Sequence, residues 1–451
     1  MHDDLTTAPV PGLVLRIAAP ASVGYFFHTM FNVVDTAWAG QVPGMSTRAL
    51  AALAASFPVF FVIIALGGGL ATGATALLGT SLGAGDRSAA RRLALQGLSL
   101  DLAASLLVAL LGPLAAPALF RALGAEGPYL DACLAYMNPI LRAAPLFFVP
   151  YMLNAALVAM GDTRSLRNIH ILGCLLNVGL DPWFIFGGLG LPPLGLAGIA
   201  WATVLVQGLG CLYLGARLLR SGLVERPRAR EFVPCLRTWA EIVRQGVPAA
   251  VNMLTVGLGI FVITRYFSLY GPEATAAYGI ATRIEQIALM PSLGLGAAVL
   301  TLTAQNRGAN RPDRVRESLR RSLALGAAVT VPAGLLVCLL AGPLMGLFTS
   351  DPAVVAVGRG YLRIAGFALF AYVLLYLAVS AMQGLKRPLF AVWMGLARQI
   401  AAPVLLFEFF TRVLHLGLPA IWWGIAGIVW AAALFAAAWV RRAMDRILGP
   451  A

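Results

Sequence analysis

Long apolar runs, broken by clusters of Gly, Pro and Arg, fill nearly all of this 451-residue chain. They fall near 13–39, 50–80, 93–117, 130–160, 168–188 and 195–219, and again near 240–268, 274–304, 320–348, 355–383, 389–410 and 420–440. About 20 apolar residues span the hydrocarbon core of a bilayer as a helix, so the pattern predicts twelve transmembrane helices. The basic residues sit between the runs, not inside them. Arg87, Arg91 and Arg92, then Arg164 and Arg167, then Arg220 through Arg237, Arg307 through Arg321, Lys386 and Arg387, and the tail Arg441, Arg442 and Arg446 follow the even-numbered runs. The odd loops, such as GGLGLPPLG at 187–195, carry little positive charge. Positive loops stay inside, which places both termini in the cytoplasm of a multi-pass protein of the cell (inner) membrane.

Against this background the polar positions within the runs stand out. In the fifth run, NIHILGCLLNVGLDPWFIFGG (168–188), Asn177 and Asp181 are four apart and share a helical face. An acid in hydrocarbon costs about 2.5–3.5 kcal/mol on insertion scales unless it faces protein or a wet cavity, so Asp181 reads first as a site. Pro182 removes one amide donor and frees the carbonyl of Val178, which could hold a cation or a water. The plainer reading is that Asp181-Pro182 only ends or kinks the helix. In the first run His28, Asn32 and Asp35 fall at i, i+4 and i+7 on one stripe, with Pro20 earlier in the same run as a point of bending. Counted from the cytoplasmic ends, Asp35 and Asp181 reach the same depth in the outer half of the bilayer. Two acids held together share one proton or cation more readily than they carry two charges. The rival for Asp35 is a loop acid just beyond a span that ends at Asn32. Tyr136, Asn138, Arg142, Asn154 and Thr203 are candidates to line a polar cavity in the same half, each also readable as an interhelical hydrogen bond. Asp101 is expected to pair with a basic residue at the cytoplasmic edge, and Glu285 to serve packing or a gate.

Composition supports the membrane reading. The chain is 60% hydrophobic and only 12% charged, with a mean hydropathy of +0.83, where a soluble domain has roughly 25% charged residues. The net charge of +14 comes almost wholly from arginine; since the arginines lie in the loops, it reports topology and not nucleic-acid binding. No small-residue cleavage site follows the first run, so no removable signal peptide is expected. The five cysteines show no CxxC spacing, and neither a disulfide framework nor a metal site is expected. The four histidines, His2, His28, His170 and His415, are scattered, and no HExxH marks a membrane-embedded enzyme.

The halves repeat. GLAGIAWAT (195–203) matches GIAGIVWAA (424–432) at six of nine positions, Arg16 and Pro20 recur as Arg244 and Pro248, and Gly83-Ala84 recurs as Gly308-Ala309. Offsets of 225–229 in the same order indicate two homologous six-helix bundles of parallel orientation with a cavity between them. The expected division is an N-terminal lobe 1–221, a basic cytoplasmic linker 222–239 and a C-terminal lobe 240–451. The second lobe has Ile263 and the Val404-Leu405 region where the first has its acids, so any chemistry lies in the first.

FNVVDTAWAG in the first run, LNVGLDPWFIFG in the fifth, MGDTR (160–164), ATRIEQIALMP (281–291) and the two Gly-Ala loops together resemble the multidrug and toxic compound extrusion family, its DinF-like prokaryotic branch in particular, over essentially the whole chain. The resemblance implies an all-α integral membrane protein with twelve transmembrane helices in two pseudo-symmetric six-helix bundles. It implies a secondary transporter, not an enzyme, that exports organic, often cationic, compounds by alternating access in exchange for protons, with sodium near Asp35 and Asp181 as the alternative ion. Asp35, Asp181 and Asn177 would carry coupling; His28, Asn32, Tyr136, Asn154 and Thr203 would line the cavity or join the network; Pro20 and Pro182 would let helices bend. No cofactor is implied beyond the coupling ion, and the expected partners are small organic molecules and the lipid bilayer, with the chain acting as a monomer. His28 and Phe31 depart from the polar neighbours some relatives place beside the acid. The rivals are a lipid-linked precursor flippase of the related polysaccharide-exporter class, whose pyrophosphate would call for cationic cavity residues, and a major facilitator, whose loop GAGDRSAARR (83–92) loosely copies.

Overall fold

The structure is a computed structural model that describes residues 5–188 and 190–449, which leaves His2 outside the described residues. Helices run α1 Val10–Ala39, α2 Ser46–Gly83, α3 Arg87–Ala122, α4 Gly127–Arg142, α5 Ala144–Ala159, α6 Arg164–Phe186, α7 Leu196–Arg220, α8 Leu236–Ser268, α9 Pro272–Gly308, α10 Pro312–Leu339, α11 Ala341–Gly346 and α12 Pro352–Gly384, followed by Leu389–Val413 and Leu418–Leu448. Among the described residues the one pairing of extended backbone is the bridge between Gly188 and Leu191. Among the described residues eleven helices are long and apolar enough to cross a membrane, and twelve spans result when α4 and α5 are taken as one. Their outward faces are apolar: Leu114 is 75% exposed and Leu212 74%, as helices solvated by lipid require.

The fourth span is broken, where a single run was expected at 130–160. α4 and α5 meet at Ala143 with a bend of 50°, because Pro145 has no N–H to give to the carbonyl of Leu141 and its ring crowds that carbonyl. In Leu389–Val413 the stretches Ala397–Ala401 and Phe409–Val413 are π-helical.

The repeat extends to backbone conformation at the helix ends. Gly85 (φ +76°) after α2 and Asn310 (φ +54°) after α9 are 225 apart, and their turns close identically: Gly85 N–H donates to Leu82 O and Asp86 N–H to Ser81 O, as Asn310 does to Arg307 and Arg311 to Asn306. Gly161 (φ +83°) and Lys386 (φ +56°) form a second such pair. A left-handed residue closing a helix is a backbone requirement that survives replacement of glycine by asparagine.

The chain forms two compact units, one of residues 23–250 and the other of residues 1–22 with 251–451. The boundaries fall inside α1 and α8, whereas the sequence repeat suggested division at 221 and 240. The first part of α1 packs with the later helices, and a Cβ on Gly294 of α9 would collide with Ala18 O and lie 2.9 Å from Ser22 N. The first part of α8 packs with the earlier helices, and a Cβ on Gly69 of α2 would lie 2.5 Å from Ala250 N. These are the same contact in the repeat: Gly69 and Gly294 correspond at 225, and Ser22 and Ala250 at 228. The linker is held within the first unit by α3. Arg91 makes two hydrogen bonds, of 2.9 and 3.0 Å, to Glu231, and Gln96 Nε2 donates to Glu231 O and Val233 O while its Oε1 accepts from Cys235 N–H.

Candidate functional site

α1 and α6 each present a polar stripe at helical spacing. On α6 the stripe is His170, Cys174, Asn177 and Asp181, at i, i+4, i+7 and i+11; on α1 it includes His28 and Asp35, seven apart. α1 continues to Ala39 and α6 runs through Pro182 to Phe186, so both acids lie within helices, and neither the loop reading of Asp35 nor the terminating reading of Pro182 holds.

Asn177 joins the two acids. Its amide donates one hydrogen to Asp35 Oδ1 and the other to Asp181 Oδ2, the latter at 2.9 Å. Asp35 is 5% exposed, and Asn177 and Asp181 are fully buried. Both carboxyl groups thus accept from one amide, which holds them side by side in a buried place. Two like charges held that close and out of water oppose each other, which favours one proton on the pair over none. The arrangement is two buried carboxyl groups oriented by one amide. Burying a second full charge there would cost several kcal/mol. Asn177 Oδ1 and Asp181 Oδ1 have no protein partner, so two oxygen acceptors remain for a proton donor or a small cation.

Of the other expected residues, Tyr136 on α4 is near enough to interact electrostatically with both acids. Asn154 Oδ1 on α5 is buried without a partner. Thr203 donates to Ile199 O of its own helix at 2.9 Å, and Asn32 donates to His28 O at 2.9 Å with its side chain exposed; these bonds are local and do not bring either residue onto the acids. Pro20 and Pro182 both lie inside continuous helices.

Three features went unread in the sequence. His28 and His170, taken there as scattered, meet with ring centroids 5.0 Å apart. Asp101, expected to pair with a basic residue, is fully buried with both carboxyl oxygens unpartnered, because α3 turns it inward and away from Arg92. Glu285 on α9 is buried; Tyr278 of the same helix packs its ring 5.8 Å from that of Tyr361 of α12, and Arg398 lies 5.5 Å from the centre of the Tyr372 ring. The sequence assigned Glu285 to packing or a gate, and no local signal there names the tyrosines of α12, about 80 positions on.

The family model described as MatE matches residues 20–183 and 248–407. The chain is 28% identical to a probable multidrug resistance protein NorM of Thermotoga maritima, over 83% of this chain and 79% of that protein. It is 29% identical to an FAD transporter of Shewanella oneidensis, over 88% of this chain and 87% of that one. The fold is similar to a solved outward-facing multidrug resistance MATE family transporter, with a TM-score of 0.90 at 24% identity over 98% of each chain.

Proposed function

The chain belongs to the MatE family, whose members are transporters and not enzymes, and on that premise we propose that it is a secondary active multidrug exporter of the cell inner membrane, driven by protons through the Asp35–Asn177–Asp181 group. The single observation that carries the coupling assignment is the asparagine amide that spans two buried carboxyl groups. The major facilitator and flippase readings lose their footing once the family is established.

A proton arriving from outside neutralises the pair and weakens its hold on a cationic compound; loss of that proton on the inside restores the negative charge and the affinity. The protein alternates access between the two sides, and α1 bends near Pro20 as the charge changes. A ligand shifts such a two-state balance only by its difference in affinity for the two states, and here drug and proton oppose each other at one carboxyl pair. Both termini are cytoplasmic, and one copy of the chain carries a complete pair and works as a monomer. Sodium, held by the free oxygens of Asn177 and Asp181, is the alternative coupling ion. Organic cations fit an acidic group better than an anionic dinucleotide such as the cargo named for the Shewanella relative.

The test is dye transport in inverted vesicles with proton and sodium gradients imposed separately, for wild type and Asp181→Asn. Transport is expected under the proton gradient alone, and to fall at least about tenfold in the variant, the loss of one charge-assisted interaction of about 1.5–3 kcal/mol. Retained proton-driven transport in Asp181→Asn would sink the assignment. Transport driven only by sodium would replace the coupling ion.

A further inference from the structure

We propose that His28 and His170 form a second proton-binding site, two imidazoles holding one proton, in series with the Asp35–Asp181 pair and nearer the N-terminal ends of the same two helices. This rests on the proton-driven reading above and adds to it a station for the proton on its way out of the carboxyl pair.

The register of the two helices carries the first part. Asp35 lies seven residues after His28 on α1, and Asn177 seven residues after His170 on α6. Seven residues are two helical turns, about 10.5 Å of rise. Two helices that bring Asp35 and Asn177 into contact therefore also bring the histidines together one level lower, and the rings do meet at 5.0 Å between centroids, tilted by 30°. Cys174, buried on the same stripe of α6, lies between the two levels.

Hydrogen bonding carries the second part. His170 Nδ1 is 2.9 Å from Gly24 O. A carbonyl oxygen has no proton to give, so Nδ1 carries the hydrogen and donates it, which leaves the lone pair on Nε2 as the ring's basic atom. Gly24 makes this possible, because a Cβ there would lie 3.3 Å from Arg167 Cα and 3.5 Å from His170 Nδ1 and would hold the helices apart. The titratable and charged groups around the pair are Tyr25 on α1, one turn from His28; Arg167 and Cys174 on α6, one turn to either side of His170; and Tyr151 on α5, which interacts with Tyr25. None of these is an acid that would neutralise two imidazolium ions. At this separation the second proton is opposed by the first and by Arg167, so the pair takes one.

In the transfer, the O–H bond of the protonated carboxyl breaks, water between the levels carries the proton, and an N–H bond forms at an imidazole Nε2, which leaves a carboxylate and an imidazolium. The imidazolium then releases its proton to water at the inner side and returns to the neutral form. No electrons change hands.

The experiment uses the full-length protein. With 15N-histidine label, nuclear magnetic resonance of the wild type is expected to show His28 and His170 taking up one proton between them from pH 9 to pH 4. Separate full protonation of His28 and His170, or a pair that stays neutral throughout, would overturn the proposal without any reliance on a variant. In proteoliposomes held at constant ΔpH while the inner-side pH is varied, His170→Gln is expected to move the midpoint of dye transport by at least one pH unit, with His28→Gln/His170→Gln no further displaced than the single variant. A wild-type midpoint in the double variant would also overturn it. If Asp181→Asn keeps proton-driven transport, the coupling assignment fails, and the histidine titration still decides whether the pair binds a proton.

Discussion

Both hydrogens of the Asn177 amide are committed to acids, one on its own helix and one on α1. That makes the residue an orienting group, and its removal should separate the carboxyls without changing their number. Asn177→Ala is expected to lower proton-driven dye transport about tenfold or more, in line with the roughly 1.5–3 kcal/mol of a hydrogen bond to a charged group. Asn32→Ala and Thr203→Val, whose hydrogen bonds stay within their own helices, are expected to remain within about twofold of wild type in the same vesicle assay; a loss as large as that of Asn177→Ala would place them in the network after all. The acids and the amide were legible because a carboxyl in an apolar run has few inexpensive explanations and because i, i+4 spacing fixes a common face. The histidine pair was not legible. Its partners lie on different helices 142 positions apart, and only the parallel register of those helices joins them.

The linker and the glycine contacts act through whole helices. Glu231 is held down to about 2, first by its hydrogen bonds from Arg91 and next by the Arg228 N–H. A carboxyl whose value is lowered on folding contributes fully above its ordinary value of 4.5 and loses that contribution as the pH falls through about 2. A spin label on Arg226→Cys is accordingly expected to keep one restricted line shape from pH 8 to pH 5 and to become mobile only well below pH 4, whereas Glu231→Gln should be mobile throughout. Equal mobility in both proteins at pH 7 would show that the Arg91 clamp does not hold the linker. At Gly69 and Gly294 the atoms facing the missing Cβ include main-chain atoms, which cannot swing aside. Gly69→Ala and Gly294→Ala should each cost about 1–3 kcal/mol by overpacking, read as a lower Tm in detergent. Gly179→Ala, with open space around it, should be neutral or slightly stabilising. Lengths and positions of the spans could be read from apolar runs alone. The break at Ala143 carried a signal in Pro145, but hydrophobicity across 130–160 is continuous and hid it. Which helix receives the first part of α1 could not be read at all, since apolar periodicity reports that a face is buried and not what it is buried against.

For the whole molecule, topology and packing answer to different evidence. Cys235 in the linker is the exposed cysteine among the described residues, while Cys133 and Cys174 are buried. With Cys211 and Cys338 changed to Ser, a membrane-impermeant maleimide is expected to label the protein in inverted vesicles and not in intact cells; labelling from outside would reverse the orientation read from the arginines. The repeat points to two six-helix halves, and the compact units are cut within α1 and α8; a sequence repeat records ancestry, whereas packing follows shape. That exchange of half-helices has a consequence for how the chain is made. Ser22 Oγ reaches Pro291 O, 269 positions later. At about 5–20 residues per second, a ribosome needs roughly 15–50 s to supply that partner. The opening half of α1 is thus among the first segments synthesised and among the last to be seated, and the nascent protein has to shelter it in lipid or translocon until α9 emerges.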